Sequence, residues 1–166
     1  MVERFELKRI SKEGLPAAIQ RAEHYRLLNQ PEQAESICLD VLEVEPDNQQ
    51  ALVTLILAIA DQFAQGGSGS GITGTREHLD KLRDEYQRAY YAGIIYERQA
   101  RAYLGRGPSR VFAYDGFREA MEWFEKAAMI SPPGNDDAIL RWNACVRTID
   151  RLNLRPRREE GELGLE

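Results

Sequence analysis

The chain is poor in the residues on which site chemistry usually rests. Its 166 residues include two cysteines, Cys38 and Cys145, and two histidines, His24 and His78. No Cys-x-x-Cys occurs, neither cysteine has a histidine near it in sequence, and the histidines lack the spacing of metal ligands. Both cysteines lie among apolar neighbours in helical patterns, which reads as buried thiols behaving as small hydrophobes. The histidines read as solvent-facing helix residues. There is no Gly-x-Ser-x-Gly, and Gly66-Gly67-Ser68-Gly69 lacks both the Lys-Ser/Thr and the preceding strand of a phosphate loop. The acidic pairs Asp84-Glu85 and Asp136-Asp137 fall on helices or their caps. Adjacent helical residues point about 100° apart, so neither pair converges on one reacting atom. These absences lead us to expect no enzyme, no cofactor and no metal.

Long apolar runs and one-signed charge are also missing. The longest apolar stretch, Ala51 to Ala60, is interrupted by Thr54. It falls well short of the roughly 20 residues that span a bilayer. The opening Met-Val-Glu-Arg-Phe-Glu lacks the apolar run of a secretory leader. We therefore expect a cytoplasmic protein without membrane contact. Net charge is -5 and the signs alternate along most of the chain. Without a concentrated Lys/Arg footprint, nucleic acid is not an expected partner. What remains is ordinary for a soluble fold: 43% hydrophobic and 30% charged residues.

What is present is one spacing used twice. Ala34, Cys38, Val41 and Pro46 stand at offsets 0, 4, 7 and 12, and Ala120, Phe124, Ala127 and Pro132 repeat those offsets. Small residues let two helices approach, the bulky one fills the gap, and proline stops the helix. Around these marks the 3.6-residue period predicts six helices, near 15–28, 31–45, 48–64, 76–104, 116–131 and 136–152. Pro31 suits a first helical position; Asp47 or Asn48, Thr75, Asp115, and Asn135 or Asp136 are the expected caps. The 76–104 segment carries Leu79, Leu82, Tyr86, Ala89, Gly93, Tyr96, Ala100 and Tyr103 in steps of three and four, a seam on one continuous helix. Residues 66–74 hold five glycines in nine positions and predict a flexible linker. Residues 1–153 are expected to form one helical domain and 154–166 a disordered tail. No strand is expected.

At these residues the chain resembles the tetratricopeptide repeat family. In the first unit Ala22 is the small residue and Tyr25 the aromatic, followed by Ala34, Cys38, Val41 and Pro46. Arg21 stands where Leu is usual and Cys38 where an aromatic is usual. In the last full unit the marks are Ala92, Gly93, Tyr96, Ala120, Phe124, Ala127 and Pro132, with fifteen extra residues between Tyr96 and Ala120. The middle unit has a recognisable first helix, and its second appears fused into the long fourth helix. The resemblance implies antiparallel helix hairpins stacked in a right-handed superhelix, acting as a non-enzymatic protein- or peptide-binding scaffold.

In such scaffolds the first helix of each pair lines a concave groove. Carried onto this chain, the resemblance implies groove residues Glu23, Arg26, Val53, Leu57, Tyr90, Ile94, Glu97, Arg98, Asn143 and Arg147. Two other readings stand beside it. One is a structural homodimer formed through the helix 76–104. The other is an enzyme or small-ligand protein with an inter-helix pocket near Tyr90, Glu97 and Arg141. Trp142 is expected to be core or semi-buried, the alternative being an exposed ligand platform.

Overall fold

The computed structural model describes residues 2–66 and 71–158. Among them are seven α-helices and no strand: α1 (Leu15–Leu27), α2 (Pro31–Val44), α3 (Gln49–Asp61), α4 (Gly71–Asp80), α5 (Glu85–Leu104), α6 (Ala113–Ile130) and α7 (Asp137–Arg151). Short 3₁₀ turns, Phe63–Gln65 and Gly107–Phe112, follow α3 and α5. Packing follows chain order: α1 on α2, α2 on α3, α3 on α4 and α5, α4 on α5, α5 on α6, and α6 on α7, with α1 also touching α3.

Local chemistry sets several boundaries. Asn48 Oδ1 accepts the Ala51 amide at 2.9 Å and starts α3, as expected. Asn29 ends α1 in the left-handed region (φ 58°), and the Gln30 amide donates to the Tyr25 carbonyl at 2.9 Å. Ahead of α7 Asn135 Oδ1 accepts the Asp137 amide at 3.1 Å, while Asp136 at the cap position makes no side-chain cap bond. Asp115 is not a cap, because α6 already begins at Ala113 and Asp115 lies in its first turn.

Three expectations are corrected. The continuous helix 76–104 does not exist: it is two helices, α4 and α5, broken at 81–84. Asp84 takes extended backbone, and its Oδ1 accepts the Gln87 amide at 2.9 Å, opening a new helix. The backbone groups freed by the break find partners elsewhere. Gln49 of α3 accepts from the Arg83 amide and donates to the Lys81 carbonyl, and Arg88 Nη1 donates to the carbonyls of Leu82 and Arg83. The break therefore depends on a residue more than thirty positions away.

The second correction concerns 66–74. Residues 67–70 lie outside the described residues, but 71–74 are the first turn of α4. Ile72 packs on the apolar cluster around Leu52, Leu55 and Ile56. Thr75 is not a cap; it is fully buried, and its hydroxyl donates to the Ile72 carbonyl at 2.7 Å. Burial of two side chains outweighs the glycines' preference for coil.

The third concerns the tail. Most of 154–166 lies outside the described residues, yet Leu154 is buried against the α5–α6–α7 cluster. Asn153 turns left-handed (φ 50°), and the Leu154 amide returns to the Ile149 carbonyl at 3.0 Å. That is a Schellman-type ending with its apolar contact.

Two larger apolar clusters form the core, with two smaller ones beside them, around Val41 and around Ala127. Of the larger two, one joins α1, α2 and α3 with Leu82, Ile95 and Ala102, and includes Ala22, Ala34 and Cys38. The other joins α5, α6 and α7 around Ile94, Phe117, Ala120, Phe124 and Cys145. The repeated spacing is placed at these contacts: Ala34, Val41, Ala120, Phe124 and Ala127 have no exposure at all. Between α5 and α6 the approach is tightest. A Cβ on Gly93 would stand 2.5 Å from the Phe124 ring, and one on Gly116 would stand 2.9 Å from Ala100 Cβ.

Gly93→Ala is expected to destabilise the chain by about 1–3 kcal/mol, because the facing atoms are an enclosed ring. Ala120→Leu should lose a similar amount. Gly105→Ala, whose Cβ would meet nothing closer than 3.8 Å, should be neutral or slightly stabilising. Urea unfolding of the three variants checks the order; equal midpoints would refute the close approach.

Candidate functional surface

The helices named in the sequence as groove-forming are linked to one another by polar side chains. On α1, Glu23 accepts from Gln50 Nε2 of α3 at 2.8 Å. Arg26, also on α1, donates from Nε to Asp61 Oδ2 at the end of α3 at 2.7 Å. Asp61 Oδ1 is met from α5 by Arg98 Nη1 at 2.9 Å. Further along α5, Glu97 Oε1 accepts from Arg101 at 3.0 Å, and Glu97 Oε2 faces Arg141 of α7 at 3.5 Å. The line therefore runs α1–α3–α5–α7, through alternate helices of the chain.

Each of the two carboxylates lies between two arginines. Asp61 is largely buried and Glu97 is fully buried, so both need that compensation. The arginines are less enclosed: Arg98 retains 32% and Arg141 38% side-chain exposure. Each trio leaves one positive charge in excess, on a chain whose net charge is -5.

An aromatic row accompanies this line. Tyr86 stacks on Tyr90 with centroids 5.6 Å apart, Tyr90 meets Tyr91 edge-on at 5.2 Å, and Tyr90 leans on Phe124 at 5.9 Å. Burial raises the Tyr86 and Tyr91 hydroxyls above the ordinary phenol range.

The ten sequence-derived groove residues separate into two groups. Glu23, Arg26, Tyr90, Arg98, Asn143 and Arg147 are exposed or half-exposed. Val53 and Leu57 are half-buried packing residues. Ile94 is buried in the α5–α6 core and is corrected from groove residue to core residue. Glu97 is likewise internal, with no exposure. The helical period could not separate Ile94 from Tyr90, because both lie on the long apolar arc of α5.

Of Tyr90, Glu97 and Arg141, the last two face each other at 3.5 Å with Glu97 fully buried, whereas Tyr90 packs on Tyr86, Tyr91 and Phe124. Among the described residues no group of three His, Cys, Asp or Glu side chains is placed to hold a metal ion. Cys38 and Cys145 are buried, as expected. Burial, the largest cause in each, pushes both thiols up to about 12. At neutral pH neither is a nucleophile. His24 is exposed, but His78 is half-buried, and burial lowers its proton affinity. Trp142, expected to be core or semi-buried, keeps 37% of its surface exposed.

Sequence reasoning missed a different surface. A hollow of about 490 Å³ lies between α4, α5 and α6, lined in part by Ile72, Leu79, Ile95, Tyr96 and Trp123. None of the ten groove residues touches it. The signal lay in Trp123, an aromatic at a position where the period of α6 called for no core residue.

No protein-family model matches the chain, and neither a curated protein nor a solved structure matches it. Among the described residues no helix is long and apolar enough to cross a membrane.

Two outcomes test this chemistry. Glu97→Gln should destabilise by about 1–3 kcal/mol, since the charge held by Arg101 and Arg141 is lost while the volume is kept; calorimetry reads it. The thiols fix an alkaline limit. They stay protonated in the folded chain to about pH 12 but ionise near pH 8.5–9 once unfolded. Above that range the unfolded state binds fewer protons, so stability must fall as pH rises. A Cys38→Ala, Cys145→Ala double variant should show a shallower decline between pH 9 and 11. Identical slopes would place the ionising groups elsewhere.

Proposed function

We propose that the chain is a non-enzymatic protein- or peptide-binding scaffold of the tetratricopeptide repeat type, with its helix pairs wound into a right-handed superhelix. In this reading α1–α2, α3–α4 and α5–α6 are the pairs and α7 closes the stack. The observation that carries it is the polar line through α1, α3, α5 and α7, since a shared surface on every second helix is what stacked hairpins produce. The division of 76–104 into α4 and α5 supports the same pairing, because the middle unit regains its own second helix.

The accessible contact residues are then Glu23, Arg26, Tyr90, Arg98, Asn143 and Arg147. The excess arginine charge and the tyrosine row favour a partner with acidic side chains flanking an apolar or aromatic one. The homodimer through a continuous 76–104 helix loses its basis with the break at 81–84.

Capture from native lysate tests the scaffold reading. Wild type is compared with an Arg98→Gln, Arg147→Glu variant whose circular dichroism is unchanged. The variant is expected to retain at least about tenfold less of the specific partner. Binding should also weaken as salt rises from 50 to 500 mM. An unchanged partner set in the variant would overturn the assignment of this face.

A further inference from the structure

We propose that the hollow between α4, α5 and α6 binds a small amphiphile, an apolar chain carrying one carboxylate, with the chain beside Trp123 and the carboxylate on Arg88. The site shares no residue with the inner face described above, so the two assignments stand or fall separately.

The hollow has the size and lining of a small-molecule site. Its volume of about 490 Å³ lies within the range of pockets that enclose such ligands. Ile95 and Ala92 of α5, 1% and 5% exposed, contribute its most buried lining. Ile72 and Leu79 of α4 and the half-buried Trp123 of α6 complete the apolar part. A second hollow of about 430 Å³ shares Arg88 and Trp123 with the first and reaches Met129, which is 82% exposed. The apolar lining therefore runs from a buried end out to the surface, as an entering chain requires. Covering it would remove apolar area from water on both ligand and protein.

Arg88 supplies the polar point of the site. Its Nη1 donates to the carbonyls of Leu82 and Arg83 at 2.7 and 2.9 Å, which anchors the guanidinium at the break between α4 and α5. Among the described residues, its Nε and Nη2 donate to no acceptor, and no carboxylate pairs with it. A half-buried guanidinium that is already held in place, with N–H groups to spare, binds an anion at little further cost in ordering.

The charges around the two hollows select the sign and size of the head group. Arg76 and Arg88 face the first hollow against Asp80. The second adds Lys126 and Glu85, and Lys126 Nζ stands 4.4 Å from the centre of the Trp123 ring. Either way one positive charge is left over. None of these five side chains forms an ion pair with another among the described residues. A monoanion balances that charge. A cation would add to it, and an uncharged chain would leave the spare N–H groups of Arg88 without an acceptor.

The test uses the full chain with Trp142→Phe, which leaves Trp123 as the one tryptophan. Decanoate, kept below its micelle-forming range, should change Trp123 emission and saturate at one per chain. Decanol and decylammonium should each bind at least about tenfold less tightly, because neither offers Arg88 an anion. Arg88→Gln, checked for unchanged circular dichroism, should weaken decanoate at least about tenfold and leave decanol unaltered. Arg88 also secures the break at 81–84, so the exposed Arg76→Gln serves as a second variant that leaves the break intact. It should weaken decanoate about threefold. Trp123 emission that ignores decanoate, or that changes without saturating, would overturn the proposal. So would decanol binding as tightly as decanoate, or full decanoate affinity in both arginine variants.

Discussion

The structure depends on how closely α5 and α6 approach. Gly93 leaves room for the Phe124 ring, and Gly116 leaves room for Ala100. Any side chain at Gly93 would drive the helices apart and open the core that also holds Ile94, Phe117 and Cys145. Interiors at crystal-like density transmit such a displacement rather than absorb it. α5 is moreover the helix on which α3, α4 and α6 all pack. Its position decides where Tyr90 and Arg98 emerge, and so the form of the surface that carries the proposed function.

The polar line across α1, α3, α5 and α7 has a different role. Its arginines are partly hydrated, so the energy of each ion pair is modest. Glu97 is the exception, because a fully buried carboxylate without its arginines would not be tolerated. The contribution of the line is orientation: Asp61 ties α1 and α5 to the end of α3, and Glu97 ties α7 to α5. Apolar contacts alone would permit helices to slide or rotate against one another, whereas paired donors and acceptors fix one arrangement.

Much of this was legible in the chain, and the failures have a common cause. The cysteines, the cap at Asn48 and the alanine–bulky–alanine spacing were readable because each rests on neighbours within about one turn of helix. The break at 81–84 was not, since its freed backbone groups are satisfied by Gln49 from α3. Ile94 and Tyr90 could not be told apart by period; only the placement of Phe124 and α7 buries one and leaves the other half-exposed. The groove at Trp123 is lined from three helices, α4, α5 and α6, a meeting that no local pattern encodes.

The amino-acid order by itself thus determined an all-helical fold, the cap at the start of α3 and the small residues at which helices meet, because these follow from backbone geometry and side-chain size close in sequence. The tertiary structure alone decided which arginines share a carboxylate, where a long apolar helix divides, and which tyrosines reach the surface. Those outcomes are set by partners tens of residues away, brought within hydrogen-bonding reach only when the hairpins pack.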